Sequence, residues 1–217
     1  VNSLNTKHLK FPVDGIKLMG ILEKPENAKF AAIVLHPHPL YGGDMFNPVV
    51  TSLAETFQEF SIATLRFNFR GVSSRSEFAG ISGAIDDTIA ASQLLKSQGL
   101  KLAGVAGYSF GGSTALRFSS INRVDFVVSV SSSFELIKEG GFPPAHLQKI
   151  ACPILMFHGT SDLTVPHNNM KQISSFIQGK VSCVSLENEG HFYHYSLKML
   201  HDELSSFMKL QEFPLST

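Results

Sequence analysis

The chain opens with two runs in which apolar and polar residues alternate, residues 7–12 and 15–22, separated by Asp14-Gly15. Alternation at period two marks half-buried strands, and an Asp-Gly pair accepts the positive φ angles of a tight hairpin. The expectation is an antiparallel start. Past residue 30 the pattern changes to short continuous apolar runs, each followed by a segment with helical spacing. Ala31–Leu35 precedes Pro48–Phe60, Ile62–Phe69 precedes Ala84–Gln98, and Leu102–Gly107 precedes Gly111–Ser119. Phe126–Val130 is a further run; Pro153–Phe157 leads to a helical His167–Ile177, and Val181–Leu186 to a helical Tyr195–Leu210. Strands alternating with helices imply a parallel sheet, and consecutive apolar residues such as Val127-Val128 and Ile154-Leu155-Met156 imply that helices cover both its faces. The predicted class is α/β: a doubly wound, mostly parallel sheet with antiparallel N-terminal strands, folded as one domain over residues 1–217. The longest irregular stretch, Ser131–Ala151, is too short to build a lid domain.

Composition narrows the partners. The 217 residues carry 18 Lys+Arg against 18 Asp+Glu, and 43% are hydrophobic, which suits one globular domain with a sizeable core. A zero formal charge supplies no general field for phosphate backbones or anionic lipid, so no nucleic acid and no membrane partner is expected, and a small molecule is. The first thirty residues hold no continuous apolar segment of the secretory kind, and no apolar run reaches the 18 or more residues that cross a bilayer. Cys152 and Cys183 both lie in apolar runs, the setting of buried free thiols in a reducing compartment. The expectation is a cytoplasmic protein, monomeric or homodimeric, without a disulfide.

In doubly wound sheets ligands gather at the carboxyl ends of the strands, so polar residues just past each apolar run carry the functional signal. The strongest is Gly107-Tyr108-Ser109-Phe110-Gly111, set between a strand and a helix. A serine at such a corner sits in a strained turn with its hydroxyl exposed, while the glycines let strand and helix pass closely. The plainer alternative is a glycine-rich turn in which Ser109 only caps the helix. A serine hydroxyl is a weak nucleophile and needs a histidine base and a carboxylate that orients it. Asp162 follows the strand Pro153–Phe157, and His191 follows Val181–Leu186, in the order serine, acid, histidine. Asp162 in a Gly-x-x-Asp turn also suits a capping residue, and His194 and His158 are rivals of His191. His194 is expected inside the last helix, and His158 at the rim as a local hydrogen-bonding residue.

Developing negative charge on a carbonyl oxygen requires two backbone N–H donors. Phe110, next after the serine, supplies one. The loop His36-Pro37-His38-Pro39-Leu40-Tyr41-Gly42-Gly43 supplies the other; its prolines have no N–H, which leaves His38 or Leu40, with His38 favoured as nearer the strand end. His36 and His38 also alternate as a metal pair would, but only Asp44 stands near to complete a ligand set, so neither a metal nor another cofactor is expected. Arg66 and Arg70 alternate ahead of Asp86-Asp87 and are read as loop braces paired with those carboxylates. The alternative gives Arg70 or Arg75 a substrate carboxylate. Tyr41, Tyr108 and Arg70 stand as candidate substrate contacts.

These residues carry a resemblance. Over nearly its whole length the chain resembles the α/β-hydrolase superfamily, and more closely the compact lidless group related to dienelactone hydrolases. That group shares a His-Pro-His-Pro…Gly-Gly loop, an Arg-Phe-Asn-Phe-Arg-Gly stretch and Gly-x-Ser-x-Gly-Gly, here residues 36–43, 66–71 and 107–112. The resemblance implies a Ser109–Asp162–His191 triad and carboxylesterase or thioesterase chemistry without a cofactor. Two departures stand out. Dienelactone hydrolases proper have cysteine where Ser109 stands, and relatives often carry Gly-x-Ser where this chain has Ser73-Ser74-Arg75. The expected function is hydrolysis of small esters or thioesters, short acyl groups favoured. A peptidase or amidase with the same triad, and a non-catalytic binding or scaffold protein on the same fold, remain the alternatives.

Overall fold

Asp14 and Gly15 both adopt positive φ, 46° and 81°, and fold strand β1 (Leu4–Val13) back onto β2 (Ile16–Pro25) with Val13 opposite Ile16. The computed structural model describes residues 4–211, so the outermost residues of the expected 1–217 domain lie outside the described part. The chain continues through β3 (Phe30–Leu35), α1 (Pro48–Glu59), β4 (Ala63–Phe67), α2 (Gly80–Ser97), β5 (Lys101–Tyr108) and α3 (Phe110–Ile121). Then follow β6 (Phe126–Val130), a short α4 (Phe134–Lys138), β7 (Ile154–Gly159), α5 (Asn168–Ser174), β8 (Val181–Leu186) and α6 (Leu197–Lys209). All strands join one eight-stranded sheet in the order β1-β2-β4-β3-β5-β6-β7-β8. β2 meets β4 antiparallel, and every pairing from β4 to β8 is parallel.

Burial follows the alternation of each strand. On one face Ile33, Leu65, Val105 and Val127 pack beneath Ala91 and Leu95 of α2 and Leu116 and Phe118 of α3. On the other, Val34, Ala106 and Val128 pack against Leu53 and Phe57 of α1 and Leu200 and Leu204 of α6. Central strands are buried along their whole length, which explains their unbroken apolar sequences.

Three expectations change. α2 starts at Gly80, four residues before Ala84, because the Glu139 carboxylate accepts the Ile81 N–H at 3.1 Å and caps the helix from a distant loop. α6 starts at Leu197, so His194 precedes the helix rather than lying in it. Among the described residues β8 is an edge strand paired only with β7; Ser182, Cys183 and Ser185 are exposed, and Cys183 is not the buried thiol its apolar run suggests, whereas Cys152 is buried. Residues 131–151 form α4 and short helical turns, with no lid over the sheet. Among the described residues no helix is long and apolar enough to cross a membrane.

Candidate active site

β5 runs through the sheet centre and delivers Ser109 at its carboxyl end, directly before α3. Ser109 has φ +56° and ψ −113°, a region that L-residues rarely occupy. Its N–H donates to Val130 O at 2.7 Å on the neighbouring strand, and its C=O accepts the Ser113 N–H at 3.0 Å in the first turn of α3. The corner tolerates no side chain on either side. A Cβ on Gly107 would lie 2.2 Å from Gly111 O, and one on Gly111 would lie 2.4 Å from Leu35 O. The motif glycines thus exist to let β5, α3 and the end of β3 touch. Ser109 does not cap the helix with its side chain, contrary to the plainer reading of that turn.

Asp162 leaves the end of β7 in a tight turn. Its Oδ1 accepts the N–H groups of Thr164 at 2.9 Å and Val165 at 2.8 Å, so the aspartate is a turn residue as well as a site residue. Oδ2 accepts Nδ1–H of His191 at 2.7 Å. His158, buried rather than at the rim, donates from Nε2 to Val165 O at 2.8 Å and lies 3.5 Å from the same Oδ2. Burial alone would raise the Asp162 carboxyl, but the two imidazoles and the Val165 N–H hold it well below the usual carboxylate range.

His191 comes from the loop after β8, and its Nε2 lies 3.1 Å from Ser109 Oγ. With Nδ1–H committed to Asp162, Nε2 is left as the acceptor facing the serine O–H. Sequence spacing gave no sign of what holds this loop. The Glu189 side chain, 1% exposed, accepts N–H bonds from Gly190 (2.9 Å), His194 (3.2 Å) and Tyr195 (2.9 Å), which hold its carboxyl below the ordinary glutamate range against the opposing effect of burial. Its carbonyl accepts Ser161 N–H at 2.9 Å, tying the aspartate loop to the histidine loop. Tyr108 is 2% exposed and its hydroxyl donates to the His191 carbonyl, so it braces the histidine from below and does not line the site as a substrate contact. The only forewarning in sequence was an acidic residue two positions before a candidate histidine.

Phe110 opens α3, where an N–H has no intrahelical acceptor. In the His36–Gly43 loop, Leu40 N–H is spent on His38 Nδ1 at 3.2 Å, which, of the two amides His38 and Leu40, favours that of His38. The loop is tightly wound: Gly43 N–H and Tyr41 N–H both donate to His38 O, and a Cβ on Gly43 would fall 2.2 Å from Pro37 O. His36 donates from Nδ1 to Pro37 O at 2.6 Å and accepts Phe69 N–H at Nε2 at 2.9 Å. Burial lowers its pKa to about 4, so it is a neutral linker with both nitrogens spent inside the protein, not half of a metal pair.

Arg70 is likewise spent. Its Nε donates to Asp87 Oδ1 at 2.8 Å and its Nη2 pairs with Asp14 at 2.8 Å, which removes it as a substrate contact. Arg66 pairs with Glu23 at 2.8 Å rather than with Asp86 or Asp87. Arg75 is exposed and donates to Leu40 O at 3.1 Å. Tyr41 is 87% exposed with its ring 4.7 Å from that of His38.

The arrangement meets its relatives in both sequence and fold. A solved α/β serine hydrolase homologue from Coxiella burnetii is 28% identical, with 93% of this chain and 97% of that chain covered at a TM-score of 0.82. A lidless α/β serine hydrolase from Xanthomonas campestris is 25% identical over 98% of this chain and 97% of its own, also at 0.82. An uncharacterised protein of Rickettsia prowazekii is 25% identical over 186 residues, 82% of this chain and 77% of that protein. The model of the dienelactone hydrolase family matches residues 67–192, a segment that holds Ser109, Asp162 and His191. With more than half of its length matched, the chain belongs to the dienelactone hydrolase family.

Proposed function

We propose that the protein is a cofactor-independent serine hydrolase that cleaves carboxylic esters or thioesters of small molecules through an acyl-enzyme. The observation that carries this reading is the His191 imidazole held between Asp162 Oδ2 at 2.7 Å and Ser109 Oγ at 3.1 Å. Ser109 Oγ attacks the carbonyl carbon while His191 Nε2 takes its proton. The carbonyl oxygen becomes an anion that the amides of Phe110 and His38 stabilise. The bond from carbon to the leaving oxygen or sulfur then breaks, and His191 returns the proton to that atom. Water enters, loses a proton to the same nitrogen, and attacks the acyl-serine to release acid and serine. Asp162 carries no proton in the cycle; its carboxylate fixes the tautomer and stabilises the imidazolium.

Without a lid, the site offers little enclosure for a long acyl chain, so short acyl groups are the preferred substrates. The first test is a fluorophosphonate probe with the adduct located by peptide mass spectrometry. Rapid labelling of Ser109 in wild type, largely lost in His191→Ala, supports the reading; a folded protein that stays unlabelled refutes it. A series of esters of rising acyl length, read as kcat/KM, should peak at the short end.

A further inference from the structure

Past His191 the chain exposes rings in a way its packing does not require. Phe192 is 68% exposed and Tyr195 is 88% exposed. Ring centroids step outward from the imidazole: His191 to Phe192 is 5.7 Å, Phe192 to His194 is 6.1 Å, and His194 to Tyr195 is 6.2 Å. This strip stands on a fixed base, because the Glu189 carboxylate takes the N–H groups of His194 and Tyr195 and the Tyr108 hydroxyl takes the His191 carbonyl as acceptor. Tyr193 sharpens the point. It is 1% exposed, its hydroxyl is bonded to Ser131 Oγ at 2.9 Å, and it adopts φ +54°, a genuine outlier for a bulky residue. That local strain sends Tyr193 into the core while Phe192 and Tyr195 face outward.

The chemistry at Ser109 decides what meets those rings. In the tetrahedral adduct the oxyanion points to the Phe110 and His38 amides, and the leaving oxygen must lie against His191 Nε2 to receive its proton. The alcohol half of the ester therefore extends past the imidazole, and the exposed ring beside that imidazole is Phe192, 5.7 Å away and at 84° to it. Glu189, the acidic group behind the strip, is buried and spent on backbone donors, so what the strip presents to a ligand is the exposed rings of Phe192 and Tyr195. Resting on the hydrolase reading, we propose that Phe192, His194 and Tyr195 form the leaving-group subsite and select esters of uncharged aromatic alcohols. A flat ring in the alcohol gains edge-to-face contact with Phe192 that a saturated ring of equal size does not.

The test compares benzyl acetate with cyclohexylmethyl acetate, which share the acyl group and nearly the same size, after dividing each kcat/KM by the ester's hydroxide-catalysed rate. Wild type should favour the benzyl ester by about tenfold. Phe192→Ala should reduce that ratio to about twofold or less, and Phe192→Tyr should keep it. A ratio near one in wild type, or one that survives both Phe192→Ala and Tyr195→Ala, overturns the subsite. Wild-type protein that is not labelled at Ser109 overturns the hydrolase reading and the subsite together, whereas a labelled enzyme without the preference overturns the subsite alone.

Discussion

Ser109 and His191 face each other across 3.1 Å, yet opposite means hold them there. The serine corner is fixed by the absence of atoms: Gly107 and Gly111 let three backbone segments come so close that no Cβ fits between them. The histidine loop is fixed by the presence of a buried carboxylate, Glu189, which gathers backbone donors from three residues of that loop. Steric fixation is stiff and unforgiving, because a misfit displaces backbone. Polar fixation is directional and depends on charge, so pH and single-atom changes reach it. One candidate site thus has two different vulnerabilities.

The comparison is meaningful only if both halves serve the same chemistry. His191→Ala and Ser109→Ala should each lower kcat/KM by about 10^4-fold or more while the fold persists, since residues that act as a unit fail as a unit. A loss below about tenfold in either variant, measured on a short-chain ester, would break the comparison at its root.

Next in size is Gly111→Ala. A Cβ there meets Leu35 O at 2.4 Å and His36 O at 2.6 Å, so α3 must move away from β3 and carry the Phe110 amide with it. A displacement near 1 Å should slow Ser109 labelling by about 100-fold. Overpacking should also lower stability by about 1–3 kcal/mol in urea unfolding. Normal labelling in this variant would show the corner to be softer than its contacts imply.

Glu189→Gln probes the polar side. The amide places an NH2 where the carboxylate accepted an N–H, so the loop should loosen, with kcat falling by about tenfold and KM nearly unchanged. The pH dependence has a definite sign. Because the folded protein lowers the Glu189 pKa below its ordinary 4.5, the side chain contributes stability above that value and loses it as pH falls through the folded one. The stability gap between wild type and Glu189→Gln should therefore be widest near neutral pH and close on acidification, as urea titrations at several pH values would show.

The smallest effect belongs to Asp14→Asn. Asp14 is exposed at the hairpin turn and only supplements the buried pairing of Arg70 with Asp87. Its loss should change stability by less than about 1 kcal/mol and leave labelling at Ser109 within twofold. A larger change would make the hairpin part of the site's support.

How far the sequence reaches follows from the same contrast. Steric fixation leaves a written mark, since only glycine fits at 107 and 111, and the corner is therefore readable as a motif. Asp162 and His191 are readable because each follows a short apolar run that ends a strand of the sheet, β7 or β8. Glu189 is not, because one acidic residue in a loop has the same spelling whether it is solvated or bonded to a chain of buried amides. Arg66 pairing with Glu23, and Glu139 capping α2 across 58 residues, are hidden for the same reason: their partners are set by topology. The exposure of Cys183 follows from β8 being last in the sheet, a fact about neighbours that its own apolar residues do not encode.

The strand order also sets a timetable. Ser109 and the imidazole beside it lie 82 residues apart, and the histidine follows the outermost strand to join the sheet. On the proposed hydrolase reading, a chain emerging during synthesis carries its serine long before it carries a base, so the hydroxyl gains its partner only once β8 has been made. On that same reading, reactivity arrives with that edge, and a covalent probe of Ser109 doubles as a reporter that β8 and the loop after it are in place.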